Sequence, residues 1–124
     1  MMSLAFALQA VAAFNLVCSG TLRTGPIGMA LPEESGEPFT ITYRIDLVSR
    51  LWCSDPCGVT ESVAEIVNGE ILLRDQHHPS GSHVIVFAPR TGRFADTLNE
   101  DNFAILRSGS CEPAPLGGFP LNVA

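Results

Sequence analysis

Lysine is absent from this sequence: its seven basic residues are all arginine, set against thirteen acidic residues for a formal net charge of −6. A surface of that sign repels phosphate backbones and anionic lipid head groups, which argues against nucleic acid or a membrane surface as partner and leaves a cationic partner compatible. Charged side chains amount to 16% and aromatic ones to 7%, with one Trp and one Tyr. That is too little charge for a disordered polyelectrolyte and too few rings for a base-stacking platform. No window sustains a helical period, and there is neither a repeat of fixed spacing nor a low-complexity tract. A phosphate-cradling loop is missing as well, because Gly117-Gly118 stands in the C-terminal stretch with no helix or Lys after it.

What is present is a chain of 124 residues, 46% apolar, enough for one domain with its own core. The first 22 residues carry no charged side chain. Their length allows a spanning helix. The pattern favours a secretory signal over residues 1–12: LAFALQAVA is a short apolar core, Ala10-Val11-Ala12 supplies small residues for cleavage, and a strand-like pattern begins at Phe14. A lipid-modified Cys18 is the lesser alternative, since Asn15 and Val17 suit a lipoprotein signal poorly. Residues 13–124 are then expected to form a single β domain, periplasmic or secreted, with no stable membrane span.

The clearest strand lies in residues 39–47, where Phe39, Ile41, Tyr43, Ile45 and Leu47 alternate with polar residues, the period of a sheet with one wet face. SVAEIV and EILLRD flank Asn68-Gly69, the pair best suited to a two-residue hairpin turn. SHVIVFA and RFADTL flank Pro89 to Gly92, a second turn signal. Residues 102–111 supply a last strand after an acidic turn. Residues 24–38, with three Pro, three Gly and three Glu, are expected to be an exposed loop, and QHHPSGS a shorter one. Six to seven short strands without a crossover helix predict an all-β fold, an antiparallel meander closing into a small barrel or sandwich.

Four cysteines in a short chain with an export signal point to two disulfides, for which three pairings exist. Spacing favours Cys53 with Cys57, around the Ser-Asp-Pro turn, leaving Cys18 with Cys111 to tie the first strand to the last. A redox pair usually spaces its cysteines by two residues at a helix start, unlike this one. A zinc site would combine Cys53 and Cys57 with two of His77, His78 and His83, the weak metal candidates of the chain, in a spacing that matches no finger pattern. A hydrolytic triad would need Ser80 or Ser82, His78 or His83, and Asp75 to converge in space. Trp52 beside Cys53 is expected to be a core side chain packed on a disulfide. No catalytic residue and no cofactor is assigned from the sequence.

Five segments, FNLVCSGT, YRIDL followed by WCSDPC, PRTGRF, and GSCEPAP, together resemble a group of short, uncharacterised bacterial exported proteins over most of residues 14–113. The resemblance implies a small secreted or cell-envelope domain and brings no activity with it. A looser, fold-level similarity is to the small β-barrel lysozyme inhibitors of the bacterial envelope. The expected function is a non-enzymatic binding or structural role in the cell envelope, with a protein or small ligand there as partner. The alternative is a metal-dependent or hydrolytic enzyme using the His77, His78 and His83 loop.

Overall fold

A computed structural model describes residues 13–32 and 35–114, so the signal-like segment 1–12 and the stretch after residue 114 lie outside the described residues. The described residues form nine strands: β1 (Ala13–Pro26), β2 (Glu37–Asp46), β3 (Leu51–Ser54), β4 (Glu61–Ser62), β5 (Glu65–Val67), β6 (Glu70–His78), β7 (Gly81–Ala88), β8 (Arg93–Glu100) and β9 (Phe103–Ala114). They build one antiparallel sheet in the order β4-β3-β2-β1-β9-β8-β7-β6-β5. The described residues contain no α-helix.

Local chemistry accounts for the hairpins. Asn68 and Gly69 both take positive φ, 53° and 79°, and form the two-residue link between Val67 and Glu70. Gly92, at φ 77°, ends the turn that opens at Pro89, with its N–H donating to Ala88 O at 2.8 Å. On β2 the alternation holds: Tyr43 and Ile45 are buried, and Phe39, Ile41 and Leu47 pack against the core.

Four expectations change. The segment QHHPSGS is not a loop, because β6 runs to His78 and β7 starts at Gly81, leaving Pro79-Ser80 as the turn. Its polar side chains belong to a hairpin that extends outward beyond the core, beside the ladder of β7 with β8. The loop expected over residues 24–38 shrinks at both ends, since β1 reaches Pro26 and β2 starts at Glu37. The sheet is neither a closed barrel nor a sandwich but an open half-barrel of nine strands. SVAEIV does not make one strand: Ser62, with Glu61 before it, pairs with β3 (Trp52↔Glu61, Leu51↔Ser62), and Glu65 to Val67 pair with β6 (Glu65↔Leu72). Between them Val63 turns into the core, and the ladder breaks there.

The core lies in the concavity of the sheet. Phe14, Leu16 and Cys18 of β1 meet Tyr43 and Ile45 of β2, Trp52 of β3, Leu73 of β6, Phe87 of β7 and Phe94 of β8. Edge-to-face ring pairs cross the concavity, Phe39 on Phe94 at 5.7 Å and Tyr43 on Phe94 at 6.5 Å, and Tyr43 also meets Trp52 of the neighbouring strand at 5.9 Å, a favoured arrangement for aromatic quadrupoles. Cys18 and Cys111 are direct partners in the β1–β9 ladder and are joined by a disulfide; Cys53 and Cys57 form the second, around a cis Asp55-Pro56 bond. Gly20 and Gly109 face each other two pairs further on. A Cβ on Gly20 would stand 1.9 Å from Ser108 O, and one on Gly109 2.0 Å from Ser19 O, so the two backbones meet where no side chain fits.

Candidate binding site

The three histidines, adjacent in sequence to one another or nearly so, are separated by strand geometry. His77 and His78 are consecutive on β6 and therefore project to opposite faces. The exposed His77 pairs with Asp75 at 2.7 Å, and His78 lies 3.1 Å from Ser80 Oγ. His83 sits on β7, half-buried inside the half-barrel. All four cysteines are in disulfides, and among the described residues no group of three His, Cys, Asp or Glu is placed to hold a metal. Ser82 lies opposite His77 in the β6–β7 ladder, and Ser80 in the exposed turn. Asp75, His77 and Ser82 thus share one face of the hairpin, whereas the expected combination of Asp75 with His78 or His83 does not form: His78 projects to the other face and His83 meets Asp96.

What does converge is a chain of charged and polar groups in which His83 is the one member among the sequence candidates. Arg74 Nη1 donates to His83 Nδ1 at 2.9 Å, and His83 Nε2 lies 2.7 Å from Asp96 Oδ1. A guanidinium can only donate, so Nδ1 accepts and the ring hydrogen sits on Nε2, where it is donated to the carboxylate. Asp96 Oδ2 accepts from Arg107 Nη1 at 3.3 Å. At the other end Arg74 Nη2 pairs with Glu61 of β4, and the guanidinium lies 5.4 Å over the Trp52 ring. Asp96 is the one buried charged residue among those described.

Strand phase explains how these groups reach the interior. On β8, Phe94 and Asp96 share the inward phase; on β9, Arg107 shares it with Cys111. A charge on the apolar phase of a strand was the signal available in RFADTL and NFAILRSGSC. Arg74 gave no such signal, because a bulge between Leu72 and Arg74 resets the phase of β6 and turns Arg74 inward behind the buried Leu73. Near this network the Tyr43 hydroxyl is buried without a hydrogen-bond partner among the described residues. Burial, and then the charge of Asp96, push its pKa well above the ordinary phenol range, opposed in part by Arg107 and Arg74.

The Arg74–Glu61 pair stands at the seam where the sheet fails to close. Trp52 Nε1 donates to Leu73 O at 2.8 Å across it. Two clefts open beside the pair. One, of about 270 Å³, lies between β4 and β6 and is lined by Glu61, Ser62, Ala64 and Leu73 to Gln76. The other, of about 330 Å³, lies between β3 with the Cys53–Cys57 loop and Arg74. Compared with protein-family models, curated proteins and solved structures, the chain matches none.

Proposed function

We propose that this chain is a small exported domain of the cell envelope that acts by binding a partner at its open seam rather than by catalysis. The seam carries this reading: a ladder left open between β4 and β6, with clefts on both sides of Arg74, offers hydrogen-bonding backbone and charged side chains at one place. His83, the one histidine inside the half-barrel, has both ring nitrogens engaged, by Arg74 and by Asp96, and so has no free nitrogen to act as a base. Two disulfides suit an oxidising compartment, and among the described residues no helix is long and apolar enough to cross a membrane.

The test uses the full chain in its native host with a photoreactive residue at Gln76, in the seam, or at Val17, on the outer face of β1. A discrete adduct from position 76 and none from position 17 is the expected result. Failure to form an adduct at position 76 overturns the reading. Mass spectrometry of the recovered protein gives its address, with loss of about a dozen N-terminal residues expected for an exported chain.

A further inference from the structure

The ladder on the outer side of β6 stops at Leu72, where Glu65 is its partner and Ala64 N–H donates to Leu72 O at 2.9 Å. On its inner side β6 continues against β7 to the pair His78↔Gly81. Residues 74–78 therefore have one edge paired and the other bare. Among the described residues no backbone group bonds that bare edge, and Asp75 to His78 are exposed. The 270 Å³ cleft runs along its beginning, with Glu61 and Ser62 as the far wall. A strand needs a neighbour about 4.8 Å away with unpaired N–H and C=O groups, and the position β5 gives up at Ala64 supplies one.

Charge selects the occupant. Glu61 and Asp75 line the cleft, already paired with Arg74 and His77, while Glu65, opposite Leu72 where the ladder stops, and Glu70 are exposed and form no ion pair among the described residues. The cleft's own cation, Arg74, is committed to Glu61 and His83. A second copy of the chain brings another net charge of −6, its seven Arg outnumbered by thirteen acidic residues, which disfavours it. Neither the twelve residues before Ala13 nor the ten after Ala114 include a basic side chain. We infer that the bare edge of β6, Arg74 to His78, takes an extended segment of a partner protein carrying Lys or Arg as an added strand. Main-chain hydrogen bonds hold the segment, and its cations meet the carboxylates of the seam. This inference rests on the binding reading above.

Three synthetic heptapeptides test it on the oxidised, full-length protein: alternating Lys and Val, alternating Glu and Val, and the Lys-Val peptide methylated at alternate backbone nitrogens. Amide hydrogen exchange is followed residue by residue. The Lys-Val peptide is expected to slow exchange at outward-facing amides of residues 74–78 at least tenfold and saturably, with the other two leaving them unchanged. No protection at 74–78 overturns the inference. So does equal protection by the methylated peptide, which keeps the charge but cannot pair, or by the Glu-Val peptide. An adduct at position 76 without protection by the Lys-Val peptide would retain the binding reading and discard strand addition, whereas no adduct would discard both.

Discussion

Tyr43 is the one tyrosine of the chain, which makes its buried hydroxyl directly observable. A hydroxyl that finds no partner in the interior is penalised for lost hydration, so Tyr43→Phe is expected to hold or raise stability, by up to about 1 kcal/mol in chemical denaturation. A loss larger than that would reveal a partner for the oxygen. Its raised pKa has a definite sign in the pH dependence. The unfolded phenol ionises near about 10, and the folded one holds its proton above that. Stability is therefore full below pH 10 and falls as pH rises beyond it, and ultraviolet absorbance should show phenolate appearing only with unfolding. Asp96 is the opposite case, a buried carboxylate between His83 and Arg107. Asp96→Ala leaves the half-buried His83 N–H and Arg107 without their carboxylate and is expected to lower stability by about 1–3 kcal/mol; an unchanged denaturation midpoint would contradict the network. Tyr43 was legible in the sequence as a core position because its neighbours alternate cleanly. Asp96 and Arg107 were not recognised, because a single charge on an apolar phase looks like an interruption until another strand supplies its counter-ion.

At the scale of the element, β1 and β9 show how backbone approach sets composition. Gly20 and Gly109 face each other where a Cβ on either would overlap a carbonyl. Gly109→Ala must push the strands apart and is expected to destabilise by roughly 1–3 kcal/mol, readable as a lowered melting temperature. The disulfides differ in what they constrain. Cys18–Cys111 spans 93 positions and Cys53–Cys57 only 4. In the chain-entropy account, opening the long one costs about 4 to 5 kcal/mol and the short one about 2. Calorimetry on the two Cys→Ser double variants is expected to keep that order; the reverse would sink the entropic explanation. Strands with strict alternation and hairpins with Asn-Gly or Pro-to-Gly turns were readable because the period and the turn angles are local properties. The bulge in β6, the extension of β6 and β7 through QHHPSGS, and the break at Val63 depend on neighbouring strands and left no local mark.

For the whole molecule, all-β architecture and antiparallel pairing followed from the pattern of strands and turns, but closure did not, because it depends on how strands far apart in sequence meet. Trp52 with Leu73, and Arg74 with Glu61, make that contact here, through hydrogen bonds across the seam. Trp52→Phe keeps a ring and removes the bond, and is expected to lower stability by about 1 kcal/mol while accelerating amide exchange near Leu73; exchange unchanged there would show the seam to be held by other contacts. The same arrangement has a consequence in time. The central ladder of the sheet joins β1 to β9, so an unbridged chain must bring together segments separated by nearly its whole length before its middle exists, a slow step for any polypeptide. The Cys18–Cys111 bond makes that search local before refolding begins. The oxidised protein should therefore refold much faster than its Cys18→Ser, Cys111→Ser variant, with most of the difference on the folding limb of the chevron. Ala114 lies opposite Asn15, so a short linker from residue 114 to residue 13, with new ends opened at Asn68-Gly69, turns the same ladder into a hairpin. In the variant lacking the bond, that rearrangement should restore the lost speed.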